Sequence, residues 1–340
     1  MSQVTEETGD TQSESTEICR LRDHPHFESH QRESKGKMRI AFNWRWFLAA
    51  IAVVTVSFAA SLYVCLSPYG GTDLYSLVIF HPAKPEQFWQ EPHTVCGARK
   101  QDVCFLSQNG MRLHGWHFEQ PNSDFTVLLS HGNGGNITNC IAEIEMLLER
   151  KLSVFAYDYE GYGKSEGKPS LDNICMDARA AYDFLVSEKG VNPEEIILFG
   201  ESLGTAVTGN LASKVNCAAI ILQSPLASIH RRGVEICAVI AMWYPPFMWP
   251  EQGLDNIAAF QKPHHPLFLV SGTADRMIPV GHADDLFKAA AAPKTYVRVE
   301  GAGHSHDETL LKCPLYANSL DRFLAQLRSD RAILKGRQSH

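Results

Sequence analysis

The sequence lacks the usual signs of a metal, nucleic-acid or repeat protein. Its nine cysteines are scattered and form no Cys-x-x-Cys pair, so a zinc-type ligand spacing is absent. The formal net charge of −7 argues against a nucleic-acid-binding surface. No internal repeat is visible, and a hydrophobic content of 44% suits a globular core. We therefore expect no metal, no cofactor and no nucleic-acid partner, whereas the oligomeric state stays open.

Charge is also missing from one long run near the N-terminus. No charged side chain occurs from Trp46 to Leu66, which is long enough for one helical crossing of a bilayer. Trp44 and Trp46 lie at one end of the run and Tyr63 and Tyr69 at the other, as interfacial aromatic residues do. A cleaved signal peptide and a buried core helix are the alternatives. The long preceding segment disfavours the first, and an apolar composition all round disfavours the second.

Basic residues before this run set its expected orientation. They are Arg32, Lys35, Lys37, Arg39 and Arg45. The positive-inside rule then predicts a single-pass protein with a cytoplasmic N-terminus and a non-cytoplasmic catalytic domain. In an exported domain, Cys96 and Cys104 are candidates for a disulfide, because they lie on neighbouring early segments.

Composition divides the rest of the chain. The first residues are too polar to bury a core, which predicts disorder. The expected organisation is a disordered cytoplasmic tail at 1–40, a transmembrane anchor at 44–66, a connector at 67–94, a catalytic domain at 95–328 with a lid near 224–265, and a basic tail at 329–340.

The most informative motif is Gly200-Glu201-Ser202-Leu203-Gly204. It lies between an apolar run at 195–199 and a small-residue helical run at 205–212. Strand, Gly-x-Ser-x-Gly, helix is the context of a nucleophile elbow, in which a strained turn lifts the serine hydroxyl above the sheet. Glycine is needed on both sides because a Cβ atom would collide with the neighbouring strand and helix. The motif predicts Ser202 as a nucleophile.

An acid and a base follow in the chain. Asp275 comes after the apolar strand predicted at 266–271, and His304 comes after the strand predicted at 296–300. A neutral imidazole must take the serine proton, and a carboxylate must hold its tautomer. We predict His304 as the base rather than His306, which lies where the final helix is expected to begin. His306→Ala is accordingly expected to keep most activity.

A glycine-rich turn lies upstream of these residues. His131-Gly132-Asn133-Gly134-Gly135 follows the strand predicted at 125–130. Such a turn can aim a backbone N–H at the site, so the oxyanion hole is predicted at the amides of Asn133 and Leu203. His131 is interpreted as a structural brace of the turn, since His304 already supplies the base.

Strands and helices alternate from residue 125 onward, which predicts an α/β domain with a mostly parallel sheet and helices on both faces. Two earlier strands joined at Asn109-Gly110 predict an antiparallel hairpin at the start. The lid carries an aromatic segment that we interpret as substrate-binding. Its candidate residues are Trp243, Tyr244, Phe247 and Trp249. Ordinary core packing is an equally weighted alternative.

The chain resembles the α/β-hydrolase superfamily over about residues 95–328, most closely its membrane-associated branch with depalmitoylase-like and serine-aminopeptidase-like members. The segments that carry the resemblance are Leu129-Ser130-His131-Gly132-Asn133, residues 157–165, Gly200-Glu201-Ser202-Leu203-Gly204, Gln223-Ser224-Pro225-Leu226 and Glu300-Gly301-Ala302-Gly303-His304. The resemblance implies an α/β-hydrolase fold and ester, thioester or amide hydrolysis through an acyl-enzyme. The lipase-type His-Gly-Gly-Gly turn is not matched, because Asn133 replaces its second glycine.

The sequence thus predicts a membrane-anchored serine hydrolase that cleaves lipophilic esters or thioesters without a cofactor. The membrane and a lipophilic acyl substrate are its expected partners. A serine aminopeptidase-like peptidase is the alternative enzyme. A non-catalytic binding protein on the same fold is the alternative outside enzymes, and it is disfavoured because every member of the triad is present.

Overall fold

A computed structural model describes residues 43–66, 79–89, 91–236 and 254–338. The predicted tail at 1–40, most of the connector and the aromatic part of the lid lie outside these residues. The structure therefore does not describe the predicted substrate-binding residues, which are Trp243, Tyr244, Phe247 and Trp249.

The first helix, α1 (Trp44–Leu66), is apolar all round. Its first turn is fixed by Asn43, whose side chain accepts from the Arg45 N–H at 3.2 Å. At 1.5 Å per residue the helix is about 34 Å long, which matches the hydrocarbon thickness of a bilayer. The stretch Trp44–Val64 has a mean hydropathy of 2.2 and buries none of its surface in the protein. Length and composition therefore fit a membrane span.

A nine-stranded sheet forms the centre of the remaining chain, in the order β11-β10-β9-β8-β5-β7-β4-β3-β2. The six strands β11, β10, β9, β8, β5 and β7 pair with their neighbours in parallel. The remaining strands β4, β3 and β2 extend the sheet beyond β7 with antiparallel pairing. A small parallel pair joins β1 to β6. The strands are β1 (His81–Pro82), β2 (Thr94–Val95), β3 (Ala98–Leu106), β4 (Arg112–Phe118), β5 (Thr126–Ser130), β6 (Gly134–Gly135), β7 (Ser153–Tyr157), β8 (Ile196–Glu201), β9 (Ala219–Gln223), β10 (Leu267–Gly272) and β11 (Lys294–Val299).

Helices cover both faces of the sheet. They are α2 (Ile141–Glu149), α3 (Leu171–Ser187), α4 (Leu203–Ala212), α5 (Ile229–Ile236), α6 (Asn256–Phe260), α7 (Gly281–Ala289), α8 (Glu308–Leu311) and α9 (Pro314–Gln338). One hydrophobic cluster joins one face of the sheet to α3, α4, α6 and α7. A second cluster joins the other face to α2, α8 and α9.

Alternation along each strand explains the two clusters. In β5, Leu128 lies in the first cluster, whereas Val127 and Leu129 lie in the second. All five residues of β5 are buried, as expected for a strand in the middle of a parallel sheet with both faces covered. Each fully buried leucine or valine contributes roughly 1.5–3 kcal/mol to stability. The predicted fold class, a mostly parallel sheet with helices on both faces, is confirmed.

Two sequence expectations differ in detail from the structure. Helix α9 runs through residue 328 without a break, so part of the segment interpreted as a basic tail is helical. Cys96 and Cys104 are free thiols. Cys104 lies on β3 and Cys96 precedes that strand, so about 20 Å of extended chain separates them. A disulfide needs Cα atoms within about 7 Å, and therefore this pair cannot form one.

The two glycines of the Gly-x-Ser-x-Gly motif lie where no side chain fits. A Cβ at Gly204 would lie 2.0 Å from the carbonyl oxygen of Ser130 and 2.7 Å from that of His131. A Cβ at Gly200 would lie 2.4 Å from the carbonyl oxygen of Gly204. Because these obstacles are backbone atoms, they cannot rotate away. The end of β5, the end of β8 and the start of α4 therefore approach one another only with glycine at both positions.

This packing predicts the effect of adding one methyl group. Gly204→Ala should destabilise the protein by more than about 2 kcal/mol, because the backbone at Ser130 must move. Gly134→Ala is the matched control, since a Cβ at Gly134 would meet nothing within 4 Å. Thermal and denaturant unfolding of both variants in detergent would measure the difference. An equal loss of stability in the two variants would contradict this account.

Candidate active site

Ser202 lies at the tight turn between β8 and α4. Its backbone has φ 51° and ψ −119°, a region that a residue with a Cβ atom rarely adopts. The Ser202 N–H donates to the Gln223 carbonyl at 3.0 Å, and the Ser202 carbonyl accepts from the Thr205 hydroxyl at 2.6 Å. These bonds hold the strained turn, and they place the hydroxyl at the N-terminal end of α4. Developing negative charge is favoured at that end of a helix.

His304 and Asp275 complete a hydrogen-bonded series with Ser202. His304 Nε2 lies 2.9 Å from Ser202 Oγ, and His304 Nδ1 lies 2.7 Å from Asp275 Oδ2. A carboxylate can only accept, so Nδ1 carries the proton and Nε2 is left to accept from the serine hydroxyl. The His304 side chain is 21% exposed, whereas that of Asp275 is fully buried. The structure thus brings together the three residues expected from their order in the sequence.

Asp275 stays ionised in spite of its burial. Burial alone would raise its pKa, but hydrogen bonds from His304 and from the amides of Ile278 and Met277 hold the pKa of Asp275 below its usual value. Both amides donate to Asp275 Oδ1 at 2.8 Å. One carboxylate oxygen is therefore fixed by the backbone, and the other is aimed at the imidazole.

Two backbone amides flank the serine. Leu203 is the first residue of α4, where an N–H has no partner within the helix. In the part of the chain that the structure describes, neither the Leu203 nor the Asn133 N–H donates to a protein group. The neighbouring Gly132 N–H is used differently, because it donates to Glu201 Oε1 at 3.0 Å. The two amides predicted for the oxyanion hole are thus open to a ligand oxygen.

His131 braces the peptide that carries the Asn133 amide. Its Nδ1–H donates to the Gly132 carbonyl at 2.7 Å, and this carbonyl belongs to the same peptide group as the Asn133 N–H. The N–H and C=O of a trans peptide point in opposite directions, so the bond turns the Asn133 N–H away from His131. The Tyr159 hydroxyl donates to the His131 carbonyl at 2.9 Å. Burial lowers the pKa of His131, so the ring is neutral. The predicted structural role of His131 is confirmed.

Next to the serine lies a charged cluster that the sequence did not reveal. His306 Nδ1 is 3.1 Å from Glu143 Oε1, and His306 Nε2 is 3.3 Å from Glu201 Oε1. Both glutamates are buried, whereas the His306 side chain is 44% exposed. Glu143 lies on α2, far away in sequence, so no local pattern could have paired it with His306. A helix does begin next to His306, as expected, because α8 begins at Glu308 and is capped by Asp307. It is a short helix, however, and the final helix α9 begins at Pro314.

The cluster holds a charged imidazole. Partial burial acts against the charge, but hydrogen bonds and ion pairing with Glu143 and Glu201 raise the pKa of His306 to about 11. Burial and the neighbouring Glu201 carboxylate raise the pKa of Glu143. Burial would also raise the pKa of Glu201, but His306 and the Gly132 N–H bring it below its usual value. Within the described ranges, these three residues also form the only group whose ligand atoms are close enough to hold a metal ion.

The described part of the lid is anchored by ion pairs. Arg231 on α5 contacts Glu235 at 3.0 Å and Asp285 on α7 at 2.7 Å. Arg232 contacts Glu235 at 3.3 Å. His282, which is buried, accepts from the Ala227 N–H through Nδ1 and contacts Glu235 through Nε2. Arg231, through Asp285, and Glu235, through His282, therefore fasten α5 to α7, whereas Arg232 pairs within its own helix.

Comparison with known proteins agrees with this architecture. The family model described as "Serine aminopeptidase, S33" matches residues 121–263. Two uncharacterised proteins of Mycobacterium tuberculosis are 37% identical over 229 residues, which cover 66% of this chain and 79% of theirs. Alpha/beta hydrolase domain-containing protein 17C of Homo sapiens is 36% identical over 203 residues, which cover 59% of this chain and 57% of that protein. The chain thus spans less than two thirds of the human relative.

Solved structures share the fold. The Pyrococcus furiosus esterase Pf2001 superimposes with a TM-score of 0.59 at 19% identity, covering 72% of this chain and 98% of its own. A puromycin-hydrolysing peptidase of Mycobacterium tuberculosis gives a TM-score of 0.55 at 16% identity, covering 71% of this chain and 41% of its own. Identities this low carry information on the fold alone.

A mostly parallel sheet with a strand, Gly-x-Ser-x-Gly, helix turn near its centre defines an α/β hydrolase. The similarity to alpha/beta hydrolase domain-containing protein 17C and the family model agree with that class. The chain therefore belongs to the α/β-hydrolase superfamily, and it is a hydrolase.

Proposed function

We propose that the protein is a serine hydrolase that cleaves lipophilic esters or thioesters through an acyl-serine intermediate. One observation carries the proposal. Ser202, His304 and Asp275 form an uninterrupted hydrogen-bonded series, and the open amides of Asn133 and Leu203 lie beside it. Nucleophile, base, orienting acid and oxyanion donors are the parts that acyl transfer requires.

In the first half of the proposed reaction, Ser202 Oγ attacks the acyl carbonyl carbon while His304 Nε2 takes the hydroxyl proton. Asp275 stabilises the resulting imidazolium through Nδ1–H. The carbonyl oxygen becomes an oxyanion that accepts from the Asn133 and Leu203 amides, an interaction worth about 10²–10³ in rate for a single donor. His304 then gives its proton to the leaving alcohol or thiol as the carbonyl reforms, which leaves an acyl ester on Ser202.

In the second half, water replaces the leaving group. His304 Nε2 takes a proton from the water, whose oxygen attacks the acyl carbon. The same two amides receive the second oxyanion. When this intermediate collapses, the proton returns from His304 to Ser202 Oγ and the carboxylic acid departs. This cycle uses no group beyond water and the chain itself.

The substrate class rests on the lid sequence and on relatives. Trp243, Tyr244, Phe247 and Trp249 supply an apolar, aromatic segment suited to an acyl chain. Among proteins of the same fold is an esterase. The family model and one structural neighbour instead favour a peptidase as the second candidate. Cleavage at a free N-terminus needs an acid that holds the substrate amine. Two buried carboxylates beside the proposed triad, Glu143 and Glu201, are already paired with His306.

Replacing the nucleophile tests the mechanism. Ser202→Ala should lower turnover by about 10³-fold or more and abolish labelling by a fluorophosphonate, and His304→Ala should lose nearly as much turnover. Ser213→Ala is the matched control, because Ser213 is an exposed serine at the end of α4. Intact-mass spectrometry would read the labelling. A folded Ser202→Ala protein that still takes up the probe would exclude Ser202 as the nucleophile.

Acyl-chain length tests the substrate class. If the lid forms an acyl-binding wall, kcat/KM for p-nitrophenyl esters should rise by about fourfold for each added methylene that the pocket buries, which corresponds to about 0.8 kcal/mol. Trp243→Ala should flatten the series from acetyl to dodecanoyl. Thioesters of the same acids extend the comparison. A flat wild-type series, or faster cleavage of aminoacyl amides than of any ester, would favour the peptidase.

We also propose that α1 anchors the hydrolase to a membrane, with the N-terminus in the cytoplasm and the hydrolase on the other side. The basic residues before the helix and its uncharged length support this orientation. The helix would thereby keep the catalytic domain near lipophilic substrates.

A single substitution can report the orientation. Met111→Thr creates an Asn-x-Thr acceptor at Asn109, an exposed residue in the hairpin turn. With microsomes, this variant should carry one glycan more than the wild-type chain, which already has an Asn-x-Thr motif at Asn136, and adding Asn109→Gln should remove that extra glycan. Absence of the extra glycan on Met111→Thr, together with modification of an acceptor placed in the N-terminal tail, would reverse the orientation.

A further inference from the structure

The proposed chemistry gives no role to the charged cluster of Glu143, Glu201 and His306, although its residues come from three segments around the site. Glu201 directly precedes the nucleophile, and His306 follows the proposed base by two residues. Glu143 comes from α2 on one face of the sheet. Gln223 Nε2 donates to Glu143 Oε1 at 3.0 Å and to the Ser305 carbonyl at 3.2 Å. The loop that carries His304 is thus connected to the buried carboxylates.

Glu201 connects this cluster to the oxyanion turn. Its Oε1 accepts from the Gly132 N–H at 3.0 Å, one residue before the proposed oxyanion donor Asn133. The approach is close, since a Cβ at Gly132 would lie 3.0 Å from that oxygen and 3.4 Å from Ser202 Cβ. His131 fixes the next peptide through the Gly132 carbonyl. The direction of the Asn133 N–H is therefore set by two hydrogen bonds, of which one ends on Glu201.

We propose that His306 and Glu201 are positioning residues, in which the His306 imidazolium holds the Glu201 carboxylate against the Gly132 N–H and so aims the Asn133 amide at the oxyanion. This role rests on the proposed function. It also revises the expectation that His306→Ala keeps most activity. The inference concerns geometry, and neither side chain touches the substrate.

The electrostatics explain why a charged ring is required. Glu143 and Glu201 are buried, and one oxygen of each carboxylate and one nitrogen of His306 all lie within 4.8 Å of one another. Two carboxylates so close cannot both stay ionised without a cation. One oxygen of each carboxylate, Oε2, has no partner among the described residues, so neither is held from its other side. Without His306, repulsion between the two carboxylates would turn Glu201 away from its present position, and the Gly132 N–H would lose its acceptor.

The first experiment compares His306→Ala with wild type, using the full chain in detergent and p-nitrophenyl butyrate. Rates are normalised to active sites titrated with a fluorophosphonate. We expect kcat to fall by about 10- to 100-fold with KM changed by less than about threefold, because a misplaced oxyanion donor weakens the transition state alone. His93→Ala is the matched control, since His93 is exposed and its side chain makes no hydrogen bond with any residue that the structure describes.

Two substitutions of Glu201 test the hydrogen bond that its side chain accepts from the Gly132 N–H. Glu201→Gln keeps an oxygen for the Gly132 N–H, whereas Glu201→Leu removes it at similar volume. We expect Glu201→Gln to retain at least about ten times the kcat of Glu201→Leu. Affinity for a trifluoromethyl ketone, which forms a tetrahedral adduct on the serine, should fall in parallel with kcat/KM across the variants. Should His306→Ala fail to fold, His306→Gln replaces it with the same expected loss.

Four results would overturn the proposal. The first is an unchanged kcat per titrated site in His306→Ala, and the second is a loss of activity that is explained entirely by fewer titratable sites. The third is an equal rate for Glu201→Gln and Glu201→Leu. The fourth is a wild-type activity that a chelator removes and a divalent cation restores. The last would mean that the three side chains hold a metal. Continued labelling of Ser202→Ala would instead reject the proposed function. An inactive Ser202→Ala beside a fully active His306→Ala would reject the positioning role alone.

Discussion

The close approach of α4 to the end of β5 is the contact on which the rest of the site depends. Gly204 lies so near the carbonyls of Ser130 and His131 that no side chain fits between them. This approach puts the turn at Ser202 directly beside the glycine-rich turn after β5. Asp275 and His304 follow β10 and β11, and so they reach the same edge of the sheet. The placement of Ser202 beside the turn at Gly132 and Asn133 follows from this one backbone contact.

Two buried carboxylates of the site, Asp275 in the triad and Glu201 beside the serine, are stabilised in different ways. Asp275 is buried but receives hydrogen bonds from His304 and from two amides, so its charge is shared among fixed donors. Glu201 is equally buried and adjoins the serine, but its Oε1 depends on one amide and one imidazolium. A group with fewer donors is more easily displaced when its counter-ion is lost. This difference makes His306 the part of the site where charge and geometry are most closely coupled.

Membership of the α/β-hydrolase superfamily sets limits on the chemistry without selecting the substrate. The same fold is found in an esterase and in a puromycin-hydrolysing peptidase. A fold of this kind hosts many activities because the loops at the sheet edge, rather than the sheet, contact the substrate. In this chain the aromatic sequence of the lid and the apolar helix α1 are the features from which we propose lipophilic substrates at a membrane. This proposal is where the proposed function goes beyond the family.

Local sequence patterns determined much of this protein. The apolar runs predicted the strands at 125–130, 266–271 and 296–300 and the hairpin at Asn109-Gly110 to within a few residues, because periodicity reports burial directly. The Gly-x-Ser-x-Gly motif located the turn at Ser202, since only glycine tolerates its backbone contacts. The uncharged run at 46–66 indicated the apolar helix. Each of these signals lies within a short segment.

What only the tertiary structure decided are contacts between distant segments. Glu143 and His306 are 163 positions apart in the sequence, and no local pattern in either segment predicts that their side chains are in contact. The sequence therefore predicted no role in the site for His306, whereas the fold places its imidazole between two buried carboxylates. Likewise, the sequence predicted the Asn133 amide as an oxyanion donor, but only the fold shows that the neighbouring Gly132 N–H donates to Glu201. Which amide stays open depends on packing in three dimensions, because a hydrogen bond is made by the atoms that the fold brings within reach.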